Sequence, residues 1–311
     1  MSVAMRDAFG AKLAELGKTN AKLVVLDADV SSSTKSGIFG KAFPDRFYNV
    51  GVAEANLVGV AAGLATAGYR PVVNAFSIFL ALKATDQIRN VLCYNELPVV
   101  IAGAYGGLSD SFDGASHQSI TDIAIMRVMP NMEVIVPADS RQAELALEYA
   151  LNHNGPVYIR LNRNAMPELP EPADFAAKKV INLRKGKDVT IAANGITASM
   201  VMDAAAILEK QGIDAEVLSI PFVKPLDVEG LAASVKKTGA LVTVEEHVIA
   251  GGFGSACLEG LAKVDFKYGF DAIGIEDRFT ETGPYDELLA KYGLSAEAIA
   301  KRAAKLYSQK K

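Results

Sequence analysis

Short apolar runs with little polar alternation, each set between helical stretches, constrain this chain more than any other feature. They lie at Leu23 to Leu26, Pro71 to Ala75, Pro98 to Ala102, Glu133 to Val136 and Val157 to Leu161. A strand that is apolar on both sides must be covered on both faces, which is the situation inside a parallel sheet. The intervening stretches carry helical spacing, as at Phe9, Leu13 and Leu16. The predicted fold class is α/β, with two three-layer α/β domains. The first has a parallel sheet covered by helices on both faces, and the second is smaller, with a mostly parallel sheet. Pro167, Pro170 and Pro172 mark a connecting stretch. The expected domains are residues 1–165 and 186–311, joined by a linker over 166–185.

The chain has 311 residues, enough for two cores of ordinary size. Its net charge of −4 gives no electrostatic reason to expect nucleic acid or an anionic membrane as partner. No apolar run is long enough to span a bilayer and the first ten residues carry no secretory pattern, so a cytoplasmic location is expected. Cys93 and Cys257 sit in apolar helical contexts and are expected as buried free thiols. Gly251-Gly252-Phe253-Gly254 opens a predicted helix without G-x-G-x-x-G spacing, which favours a tight packing turn over a nucleotide site.

Two stretches carry candidate chemistry. In the first, a predicted strand from Phe47 to Val50 runs into Gly51, and an apolar helix follows with one carboxylate, Glu54, at its start. Gly59 and Gly63 lie four apart on that helix and leave room for a close neighbour. Burying a carboxylate against so apolar a helix is costly unless it is paired or holds a proton. A solvated Glu at the positive end of the helix dipole is the other reading. In the second stretch, His117, one of three histidines, sits in a polar loop beyond the strand ending at Ala102, where parallel-sheet sites form. Taken alone, such a histidine is most simply a solvated residue.

The segment from Val50 to Ala65 resembles the pyrimidine-domain signature of the transketolase group of thiamine-diphosphate enzymes, and Asp113-Gly114-Ala115-Ser116-His117-Gln118 is similar to their sugar loop. The resemblance implies that Glu54 hydrogen-bonds a ring nitrogen of the cofactor's aminopyrimidine and that Phe76 and Phe79 place aromatic rings against it. It implies that His117 passes protons to substrate oxygens and that Asp113 reads a hydroxyl. Arg6, Ser33 and Arg163 fall where the group binds a sugar phosphate, a task that suits the planar fork of arginine. Asp29 falls on an acidic position at the subunit boundary. Two departures stand out: Leu82 replaces a third aromatic residue, and Gly103-Ala104-Tyr105-Gly106 replaces a stretch with a phosphate-contacting histidine. The loop from Tyr105 to Phe112 also departs from the usual pattern.

Such enzymes hold the diphosphate through Mg²⁺ on a G-D-G segment, and none occurs in this chain. The resemblance therefore covers the pyrimidine and C-terminal domains alone. It implies a transketolase of carbohydrate metabolism split over two chains, moving a two-carbon ketol group between ketose and aldose phosphates. The implied partner is an N-terminal subunit that carries the G-D-G motif and the metal ligands, in an α2β2 heterotetramer. The alternatives are a 2-oxo acid dehydrogenase β subunit, a deoxyxylulose-phosphate-synthase-like enzyme, or a non-catalytic α/β binding subunit.

Overall fold

The computed structural model describes residues 3–310. The strands are β1 (Leu23–Asp27), β2 (Phe47–Asn49), β3 (Arg70–Phe76), β4 (Val100–Ala104), β5 (Glu133–Ile135) and β6 (Val157–Arg160), then β7 (Ile181–Arg184), β8 (Val189–Ala193), β9 (Ala215–Ser219), β10 (Phe222–Lys224), β11 (Ala240–Val248) and β12 (Gly269–Ile275). A seven-stranded sheet has the order β10-β5-β6-β4-β3-β1-β2 and a five-stranded sheet the order β12-β11-β8-β9-β7. Every pairing is parallel except β10 with β5 and β7 with β9, at one edge of each sheet. The two α/β units with mostly parallel sheets are those expected from the apolar runs.

Both faces of each sheet are filled. Val25, Val72, Val100 and Ile159 belong to one apolar cluster, while their neighbours Leu26, Val73, Ile101 and Tyr158 belong to the other. Each cluster continues into the second unit, through Ile191 on one side and Ala192 on the other. β10 joins the units further, because residues 222–224 leave the second unit to pair with β5. At roughly 1.5–3 kcal/mol for each large apolar side chain withdrawn from water, this shared core is what holds the two units in one arrangement.

Ser31–Thr34 is a single helical turn, held because Asp27 at the end of β1 accepts from the Val30 N–H, Thr34 Oγ1 and Ser36 Oγ. A helix starts at Ser77 and divides after Lys83, ending in a π-helical turn over Ile88–Cys93. Both cysteines are buried free thiols. Gly59 and Gly63 face outward, and a Cβ at either would meet nothing within 4 Å, so among the described residues nothing uses the room they leave.

Candidate active site

The strands of the first unit end on one edge of their sheet, and that edge collects the candidate residues. β1 leads to Ser33, β3 ends in Phe76, β4 in Ala104 beside Tyr105, and β6 leads to Arg163. Arg6 reaches the same edge from the helix Met5–Gly17, whose preceding residue Ala4 bridges to Ala165 just beyond Arg163. The carboxyl ends of parallel strands, next to the point where strand order reverses, are where such sheets form their crevices.

Glu54 is the first residue of the helix Glu54–Thr66 and is 4% exposed. Its cationic neighbour is the half-exposed Lys83, with Nζ 3.5 Å from Oε1. The same ammonium lies 4.1 Å from the centre of the Phe79 ring, so Lys83 connects the carboxylate to the aromatic wall. Phe76 is the last residue of β3 and Phe79 lies in the first turn of the helix Ser77–Lys83, with ring centres 6.0 Å apart. Leu82 on the following turn points outward and is exposed.

The His117 ring meets Phe79 edge-on at 5.1 Å and Phe76 at 6.2 Å. Its Nδ1 is 3.0 Å from Ser116 Oγ. Phe76 also stacks on Tyr105 at 4.7 Å, and both arginines lie near the Tyr105 ring, with Arg6 Cζ at 5.5 Å and Arg163 Cζ at 5.0 Å from its centre. Arg6 donates to the Tyr105 hydroxyl and to the Ser33 carbonyl. Arg163 Nη1 donates to Asp110 Oδ1 at 3.2 Å. Burial first, and then the exposed Asp113 nearby, push the Asp110 carboxyl up to about 6 against the pull of Arg163 and His117. The structure thus brings Glu54, Phe76, Phe79, His117, Asp113, Arg6, Ser33 and Arg163 to one edge. Asp29, just beyond the end of β1, is exposed and accepts from Asn49 Nδ2 at 2.7 Å.

Sequence reasoning missed Tyr105 and Asp110 as members of the site, since a single Tyr or Asp in a Gly/Ser loop gives no spacing signal. It also missed what holds the loop. The stretch around Ser109, Asp110 and Ser111 is buried, and the second unit holds it in place. The Glu246 carboxylate accepts from the Leu108 N–H at 2.9 Å, Asn162 Nδ2 at 3.3 Å and the Tyr285 hydroxyl at 2.8 Å. Gln118 donates to the Glu281 carbonyl, and the Gly283 N–H donates to the Ser111 carbonyl. Beneath these, Arg160 bonds Asp122 at 2.9 Å and the carbonyls of Ser119 and Glu246, while the Tyr158 hydroxyl donates to Asp122 at 2.6 Å. Burial pushes Asp122 up, but Arg160, His247 and Tyr158 outweigh it and leave its carboxyl below the usual range. The glycine turn before the helix Phe253–Leu261 holds no free anion site, because Glu245 accepts from the N–H groups of Phe253 and Gly254 at 2.6 and 2.8 Å.

Comparison with known proteins bears directly on this geometry. Residues 1–168 match the family described as transketolase, pyrimidine binding domain, and residues 178–299 match transketolase, C-terminal domain. The chain belongs to the transketolase family. It is 43% identical to a protein of Methanocaldococcus jannaschii described as a transketolase C-terminal section, over 96% of this chain and 94% of that one. It is 39% identical to the 6-deoxy-6-sulfo-D-fructose transketolase subunit SqwH of Clostridium sp., over 98% and 95%. A solved split gene transketolase, in an inactive beta4 tetramer, superposes with a TM-score of 0.92 at 45% identity over 99% of this chain and all of that one. Bacterial 1-deoxy-D-xylulose-5-phosphate synthases match at 36–40% identity, but this transketolase-family chain spans only about half their length. Among the described residues, no helix is long and apolar enough to cross a membrane.

Proposed function

We propose that this chain is one subunit of a thiamine-diphosphate-dependent transketolase whose active site is completed by a second chain. The observation that carries this reading is the single cluster joining Glu54, Phe76 and Phe79 to His117 and the two arginines at Tyr105. The chain contributes residues 1–165 as its pyrimidine-binding unit and 186–311 as its C-terminal unit, with 166–185 between them. The partner is an N-terminal subunit bearing the G-D-G segment, which would bind the diphosphate and Mg²⁺ in an α2β2 assembly.

The residues present fit the aminopyrimidine half of the cofactor. A buried carboxylate suits a ring nitrogen that shares a proton, and two phenylalanines suit the face of a flat heteroaromatic ring. Thiamine diphosphate, when bound, supplies the nucleophilic carbon for cleaving a ketose. Glu54 would hold the ring through its nitrogen and could exchange a proton there, while Phe76 and Phe79 would exclude water from it. His117 donates to and accepts from sugar oxygens, and Asp113 orients a hydroxyl. Arg6 and Arg163, with Ser33 beside them, hold the anionic tail of the sugar. One relative carries a sulfonated fructose in its name, so the tail is a phosphate or a sulfonate.

The test is Glu54→Gln in the presence of the G-D-G partner. Turnover is expected to fall at least about 10³-fold, in the range of lost acid–base catalysis, with the unfolding temperature unchanged. A rate near that of the unmodified enzyme would remove Glu54 from the proton relay. Likeness to the synthases supports a second reading, tested by assaying the same mixture for 1-deoxy-D-xylulose 5-phosphate.

A further inference from the structure

Lys83 makes two contacts to which the proposed reaction gives no role. Its Nζ stands 3.5 Å from Glu54 Oε1 and 4.1 Å from the centre of the Phe79 ring, over the ring face. Helix geometry explains the reach. Lys83 is the last residue of the helix Ser77–Lys83 and lies four positions after Phe79, so the two side chains share one face of it. Among the described residues no other cation pairs with Glu54, which is almost fully buried at the start of its own helix. A buried carboxylate without a partner is costly, and the ammonium supplies that partner. Lys83 itself is half-exposed, on a flexible four-carbon stem that can carry the charge out to water.

The carboxylate and the aromatic face that Lys83 touches are the two groups proposed above to hold the aminopyrimidine ring. A ring that bonds Glu54 and lies against Phe79 must sit where both are within reach, and Nζ marks that place. Stacked aromatic rings have centres about 4.5–7 Å apart, so an ammonium 4.1 Å from the Phe79 centre stands where the second ring would lie. The charge works in the same direction. An opposite charge within about 4–6 Å favours the ionised carboxylate, whereas sharing a proton with a ring nitrogen requires Glu54 to take one up. We propose that Lys83 is an internal competitor of the cofactor: its ammonium takes the place of the aminopyrimidine between Glu54 and Phe79, and swings out when the ring binds. Lys83 is then a positioning residue that acts through Glu54, keeping the carboxylate paired before the ring arrives and releasing it afterwards. The inference rests on the transketolase reading.

The experiment titrates thiamine diphosphate, with Mg²⁺, into the complex of this chain with its G-D-G partner and reads Kd by calorimetry. Lys83→Met keeps the stem and removes the charge. Its Kd is expected to be about fivefold lower than that of the unmodified complex, the combined scale of one half-exposed ion pair and one cation–π contact. Lys83→Arg keeps a cation able to lie on an aromatic face and is expected to leave Kd close to the parent value. A lysine with a merely structural role would not tighten binding when its charge is removed. An unchanged or weaker Kd in Lys83→Met therefore overturns the inference. Crystal structures of the unmodified complex, with and without cofactor, supply a test that needs no variant. Nζ is expected within about 4 Å of Glu54 in the first case lacking cofactor, and away from both Glu54 and Phe79 once the ring is bound. Nζ still bridging the two beside a bound ring sinks the inference alone. Failure of the unmodified complex to bind thiamine diphosphate sinks the transketolase reading and this inference with it.

Discussion

Single buried groups at the seam between the two units set much of how this chain responds to its surroundings. Glu245 and Glu246 are pushed up to about 8 and about 7, in both cases first by burial, with the N–H groups of Gly254 and Phe253 opposing it at Glu245 and Arg160 at Glu246. A carboxyl whose folded value is raised holds its proton more tightly folded than unfolded. Its contribution to stability is therefore complete below its ordinary value and lost as pH rises through the folded one. His247 is pushed down to about 4 by burial and is lost in the other direction, as pH falls from 6.5 toward 4. Between pH 6.5 and about 8.5 both raised carboxyls lose their protons, so the unfolding temperature is expected to fall over that range. Glu246→Gln should flatten part of that decline in a calorimetric series. A flat or rising trend in the unmodified chain would show that these carboxyls do not hold their protons. Glu54, Phe76, Phe79 and His117 were named from the sequence because the runs that hold them resemble motifs of the transketolase group; taken alone, a Glu at a helix start and a loop histidine carry no such reading. Tyr105, Asp110 and Glu246 were not, because their roles come from three-dimensional neighbours: two arginines for the first pair, and Leu108, Asn162 and Tyr285 for the third.

Among the elements, the loop from Tyr105 to Ser119 departs furthest from expectation. Polar loops usually run over the surface. This one is drawn in because Arg160, Glu246 and the 280–285 segment satisfy its backbone groups, and because Gly107 allows close approach. Gly107 has φ +67°, and a Cβ there would fall on the Glu246 carboxyl. Gly107→Ala therefore combines an unfavourable backbone with a steric clash, and about 2 kcal/mol or more of stability should be lost, together with ordering of the loop. Denaturant unfolding measures the first, and an unchanged midpoint would mean that Glu246 does not pin the loop. The long apolar strands were predictable, since burial on both faces leaves a readable pattern. β7 and β10 were not. They are edge strands of four and three residues, too short to show a period, and β10 is recruited by a sheet far from it in sequence.

At the scale of the whole molecule, the second unit keeps the loop that bears His117 in position against the aromatic wall, through Glu246, Tyr285 and the 280–283 segment. The half-exposed Lys83 beside Glu54 and the outward-facing Gly59 and Gly63 further along the Glu54 helix lie at the surface of the chain. That arrangement fits a site completed by another subunit. The most direct measurement is two-carbon ketol transfer by this chain alone and mixed with a G-D-G-bearing partner, with thiamine diphosphate and Mg²⁺ in both. Transfer in the mixture and none from the chain alone is the expected result. Transfer by the chain alone, or none from the mixture with any sugar phosphate or sulfonate, would contradict a transketolase site divided between two chains.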